Sequence, residues 1–183
     1  MNIFYIDTDP VVAAQNMVDR HVVKMILESA QLLSTAHRVV DGVEYEGQSK
    51  TGRKAKRWKL YDAREEHLYS ATHVNHPSAV WCRESVRNYI WLYEHFVALG
   101  EEYTYRYGKI HATIEKLAYH LEAIPENIKE WPMTPMPSCM DQEYIISDDP
   151  VVNYRNYYIK GKKSMHSWKN RPVPDWFNLN SVD

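Results

Sequence analysis

Residues 19–38, DRHVVKMILESAQLLSTAHR, contain no proline or glycine and read as one long helix. At about 100° per residue, Val22, Met25, Ile26, Ser29, Ala30, Leu32, Leu33 and Ala36 cover well over half of its circumference. A surface helix carries a narrower apolar stripe, so this one is expected near the centre of the fold. The remaining sector holds His21, Lys24, Glu28, Gln31, Thr35 and Arg38. Ionisable groups are seldom buried without partners. A base, an ammonium and a carboxylate on one seam of a central helix point to the floor of a site. The same seam also reads as a salt-bridged face, because Lys24 and Glu28 are an i,i+4 pair.

The chain has 183 residues, enough for one domain with a full core. Almost no two-residue alternation occurs, and helical periodicity recurs throughout, so the expected fold is all-α. It is a single domain over residues 1–183, a helical bundle around the N-terminal helix with irregular, proline-rich connections. Residues 1–6 read as a short strand or an extended arm. Asp9-Pro10 starts a first helix and Asp41-Gly42 ends the central one. Residues 43–60 read as a loop and 61–73 as a helix. Further helices are expected from Pro77 to Gly100, from Glu101 to Leu121, and for about 12 residues from Asp149. Residues 124–140 form an irregular wrap, and the tail is expected to pack Trp176 or Phe177 onto the body.

Net charge is −2, so a polyanion site must be a local patch. Two segments without acids supply one. The first holds Lys50, Arg53, Lys54, Lys56, Arg57 and Lys59. The second holds Arg155, Lys160, Lys162, Lys163, Lys169 and Arg171, interleaved with Tyr154, Tyr157, Tyr158 and Trp168. Together they carry 12 of the 22 Lys and Arg residues. Cations beside aromatic rings are what phosphate contact and base stacking require, although a solvated charged face has the same composition. His76-Pro77 opens a helix whose N–H groups could meet a phosphate, followed by Arg83 and Arg87 on one face.

Glu28, on a mostly apolar helix, needs either a nearby cation or a proton of its own; both states suit acid–base work or stabilisation of a cationic intermediate. Neither the nine histidines nor Cys82 and Cys139 show a metal-binding or redox spacing. No cofactor or metal is expected. Gly-rich phosphate loops and nucleophile elbows are absent too, so the common nucleotide-binding and hydrolase classes have no support. Without an apolar run of membrane length, the chain is expected to avoid the membrane, to be cytoplasmic with free thiols, and to be a monomer.

Asp19-x-His21, Glu28 seven residues after the histidine, and an apolar stretch ending Ala36-x-Arg38 resemble the first long helix of the phage pyrimidine-dimer DNA glycosylase (UV endonuclease) family. The basic segment 50–59, the aromatic helix from Pro77, and YRNYYIKGKK at 154–163 match the order of that family's features over most of the chain. The resemblance implies a compact all-α fold and DNA repair by excision of a damaged or modified pyrimidine, with cleavage of the backbone at the abasic site. It implies that an N-terminal amine attacks the sugar C1′ to form an imine, and an α-amine with pKa about 7.7–8.0 suits that step. Glu28 would stabilise the cationic sugar, His21 would line the cleft, and the base would be exposed from the duplex. Such a protein would act in the host-cell cytoplasm if phage-encoded. Asn2 disfavours removal of Met1, which places the amine on Met1. Leu27 and Gln31 stand where the family has arginines, so Lys24 either replaces that charge or is itself the amine nucleophile. The other readings are an enzyme on free nucleotides or modified bases and a non-catalytic nucleic-acid-binding module.

Overall fold

The computed structural model describes residues 1–49 and 51–178, so Lys50 and the last five residues lie outside it. It is predominantly helical. The central helix is longer than expected, Asp19–Asp41 (α2), preceded by Pro10–Asn16 (α1). The Asp9 carboxylate caps α1 by accepting from Val11 and Val12 N–H, as the Asp-Pro signal predicts. Gly42 ends α2 by donating its N–H to Arg38 O. Met25, Ile26, Leu32 and Leu33 are fully buried, each contributing about 2 kcal/mol of transfer free energy before ordering costs.

The fold is not strictly all-α. Residues 43–60 are not a loop but largely an antiparallel hairpin, Val43–Gln48 (β1) and Lys54–Lys59 (β2). Both strands are mostly solvent-exposed, so no face had to be apolar and the usual alternation is missing. The helix expected over 61–73 shrinks to one turn, Arg64–His67 (α3). The helix from Pro77 to Gly100 is two helices, Pro77–Glu84 (α4) and Val86–Tyr107 (α5). Ser85 is extended between them and caps α5 by accepting from Asn88 N–H. The next boundary also moves. α5 runs through Gly100 and stops at left-handed Gly108, and the following helix is Ala112–Glu122 (α6). Gly100 is a close approach rather than a break, since a Cβ there would lie 2.6 Å from Ile114 Cδ1.

The wrap over 124–140 contains no helix or strand. The last long helix, Pro150–Gly161 (α7), has the 12 residues expected, and a final turn, Asp175–Asn178 (α8), brings Trp176 against Tyr158. α2 packs against α4, α5 and α6, and α1 lies on α5. Residues 1–6 form an extended arm without strand pairing, and Ile3, Phe4, Tyr5 and Ile6 are buried in the core.

A charged cluster missed in the sequence locks the N-terminal end of α2. Arg106, with a fully buried side chain, bonds Glu102 Oε1 (2.6 Å), Asp19 Oδ1 (2.9 Å) and the carbonyls of Met17 and Gln15 (both 2.9 Å). Arg171 reaches the same Glu102 at 2.8 Å, and Ser167 and Lys169 N–H bond Asp19, fastening residues 167–171 to the body. Among the described residues no helix is long and apolar enough to cross a membrane. Cys82 and Cys139 are both unbridged, and burial pushes the Cys82 thiol up.

Candidate functional site

Glu28 lies where the N-terminal arm crosses α2. Its side chain is 13% exposed. Oε1 meets Lys24 Nζ at 3.0 Å. Oε2 accepts from Asn2 N–H at 3.0 Å and lies 3.9 Å from the Met1 nitrogen. The carboxylate thus has two cationic neighbours of different kinds: Lys24 is 65% exposed, and the Met1 nitrogen belongs to a half-buried residue.

Asn2 holds that arrangement in place. Its Oδ1 accepts from Ile3 N–H (2.8 Å), Phe4 N–H (3.2 Å) and the Tyr154 hydroxyl (2.9 Å), and its Nδ2 donates to Cys139 O (2.7 Å). Phe4 follows in the left-handed region at φ 58°, a costly conformation for an aromatic residue and one that the surrounding contacts enforce. In the sequence Asn2 bore only on the fate of Met1. Its role as a four-bond hub has no sequence signature, because two of the partners, Cys139 and Tyr154, lie 137 and 152 residues away.

His76 stands beside the same centre. Burial chiefly depresses its pKa, helped by the Met1 amine and His73, while Glu28 acts in the opposite direction. Its Nδ1 caps α4 by accepting from Ser78 N–H at 3.2 Å, which leaves the other ring nitrogen uncommitted. Met1, Lys24 and Glu28 are therefore brought together, with His76 within electrostatic reach of Met1 and Glu28.

Other expected site residues are placed elsewhere. His21 does not line the cleft. It is 4% exposed, stacks on Phe4 with ring centres 4.1 Å apart, and shares a 2.6 Å hydrogen bond with the Tyr158 hydroxyl. Burial first, then Lys162 and Lys24, pull its pKa down to about 3. Tyr154 and Tyr158 are fully buried and cannot stack on a base. Arg155 bonds Ile6 O and Asp7 and lies over Trp176. Trp168 is half-buried and donates to Asn16 O. Lys160 and Lys163 remain exposed. Lys162, beside them, sits 4.5 Å from the Tyr157 ring centre and near Phe4.

The first basic segment is not the uncompensated patch that its sequence implied. Pairing with β1 brings Glu46 to Lys54 (2.8 Å) and Glu44 to Lys56 (2.9 Å). The acids were absent from the segment but present in its partner strand. Arg53 is exposed beyond these pairs, and Arg57 bonds only the carbonyl of Gln48. Lys50 lies outside the described residues. Arg83 and Arg87 do not share a helix face, because the extended Ser85 separates their helices. Arg83 is half-buried with Nη1 unbonded, and Arg87 borders a shallow pocket beside Pro132 and Met133.

The polar seam of α2 therefore divides. Arg38 at its far end is structural: it donates to Tyr69 O, Trp58 O, Leu68 O and Glu65 O and pairs with Glu65 at 2.7 Å. Thr35 exchanges hydrogen bonds with the Thr72 backbone. Gln31 lines a groove, and Glu28 keeps 13% of its side chain exposed. Among the described residues no cluster of three or more His, Cys, Asp or Glu side chains is arranged to hold a metal ion.

Comparison with protein-family models, with curated proteins and with solved structures gives no match.

Proposed function

We propose that the protein is a DNA base-excision N-glycosylase with abasic-site lyase activity, acting on a damaged or modified pyrimidine. The observation that carries this reading is the Met1 nitrogen 3.9 Å from Glu28 Oε2, with Asn2 N–H on the same oxygen. An α-amine that has given up its proton is a nucleophile, and a carboxylate beside it can stabilise positive charge on a sugar. In the proposed reaction the amine forms a bond to C1′ as the bond from C1′ to the base breaks. The base leaves with the electron pair and takes up a proton. Opening of the sugar then gives the imine, from which loss of a C2′ proton expels the 3′ phosphate. In this reading Glu28 holds the cationic intermediates.

Borohydride reduction on UV-irradiated and abasic duplexes tests this. The expected result is a covalent adduct that disappears when the N-terminus is acetylated. An adduct lost only in Lys24→Ala would transfer the nucleophile to α2. No adduct and no cleavage on either substrate would overturn the proposal.

A second reading, an enzyme on free nucleotides or modified bases, is favoured by the glutamates that neutralise Lys54 and Lys56 on the hairpin, since a duplex binder usually presents uncompensated cations. Base release from nucleosides without any action on duplex DNA would support it.

A further inference from the structure

A groove lies about one helical turn beyond Glu28. The hairpin and residues 69–72 enclose it, with a volume of about 770 Å³ and Gln31 as its floor. The strand register decides what faces it. Tyr45 pairs with Arg57, and both line the groove; the ion-paired Glu44, Glu46, Lys54 and Lys56 alternate onto the other side. The groove thus receives the one hairpin arginine that is half-buried and, among the described residues, has no carboxylate partner. Arg57 donates only to Gln48 O, through Nε (3.3 Å) and Nη2 (2.9 Å). Gly47 makes room for it, because a Cβ there would lie 2.9 Å from Arg57 Cγ and 3.2 Å from a Tyr45 ring carbon.

Gln31 is half-buried, and among the described residues its carboxamide has no hydrogen-bond partner. A donor and an acceptor therefore face the groove together, the pattern that reads a base edge. The Tyr69 ring on one wall is capped by Lys116 at 5.2 Å. Tyr45 is 50% exposed and has no ring or cation partner among the described residues, which leaves its face open for stacking.

We propose that this groove is a nucleotide subsite. It takes one unpaired nucleotide, with the base stacked on Tyr45 and read by Gln31 and the phosphate held by Arg57. The inference rests on the nucleic-acid reading above and deepens it. Gln31 follows Glu28 by about 4.5 Å along the helix axis, comparable to the step of about 3.4 Å between successive nucleotides, so the occupant is the neighbour of the reacting residue.

The test is the side-chain amide resonance of Gln31 in ¹⁵N-labelled protein, assigned with Gln31→Ala and titrated with the four deoxynucleoside 5′-monophosphates and with inorganic phosphate. A saturable shift with at least one nucleotide is expected, with affinity about tenfold weaker in Tyr45→Ala and in Arg57→Gln. No shift with any nucleotide, an equal shift with phosphate alone, or unchanged affinity in Tyr45→Ala would overturn it. The two proposals fail separately. A borohydride adduct without a Gln31 shift removes the groove and keeps the glycosylase, and a shift without an adduct does the reverse.

Discussion

The two ends of the α2 seam carry similar chemistry to opposite ends. At Arg38 five hydrogen bonds account for the guanidinium, and the chain from Trp58 to Tyr69 closes over it. At Glu28 the carboxylate is held by an exposed lysine, one backbone N–H and a nitrogen at 3.9 Å. Ionisable groups on a central helix do not by themselves mark a site. What separates the two ends is what holds the group: buried carbonyls and a carboxylate at Arg38, an exposed lysine and the chain's first residues at Glu28.

The comparison breaks first on stability. Arg38→Ala leaves four carbonyls and Glu65 without their buried cation and should cost about 3–5 kcal/mol, read by urea denaturation. Glu28→Gln should move the denaturation midpoint little but lower borohydride adduct formation about 100-fold or more. If it unfolds the protein as Arg38→Ala does, both ends are structural.

Acid pH sharpens the contrast next. Burial holds His21 at about 3, and His37 and His95 at about 4, against an ordinary value near 6.5. Between those limits the unfolded chain binds more protons than the native one, so stability is full above pH 6.5 and is lost as pH falls toward 4. Each histidine contributes at most about 1.4 kcal/mol per pH unit. His21→Leu and His37→Leu should each flatten the pH dependence of urea midpoints between pH 6.5 and 4, and an unchanged slope would count against burial as the cause.

Asn2→Ala should cost about 1–2 kcal/mol through its lost hydrogen bonds and reduce adduct yield more than it reduces stability. Smallest is the salt effect. Arg57→Gln should lower the salt slope of DNA binding by about one, whereas Lys54→Gln, already paired to Glu46, should barely change it. Equal slopes for the two variants would erase the distinction between the hairpin's faces.

Much of this was legible in the chain and some was not, for reasons that differ by place. α2 could be read because its apolar residues repeat on one broad face. The caps at Asp9 and Asp149 could be read because they act on backbone two or three residues away. The hairpin was hidden because both its faces are wet. The break at Ser85 was hidden because no proline or glycine marks it. At the site, Glu28 and Lys24 stood out through helical spacing and His76 through the Pro after it. Asn2, Gln31 as a groove floor, and the sealing of Arg38 depend on partners distant in sequence, and periodicity carries no information about those.

The anchoring of Asn2 also sets an order of assembly. The residue that positions the Met1 nitrogen is made well before its anchors, Cys139 and Tyr154, which follow it by 137 and 152 residues. At about 5–20 residues per second, roughly 8–30 s separate the first residues from the last anchor. Until then the arm lacks its bonds to α7. The amine and the carboxylate meet only on a nearly finished chain, so the site matures last although its first half is made first. Stalled or shortened chains would carry every residue of the Glu28 centre and still lack its geometry.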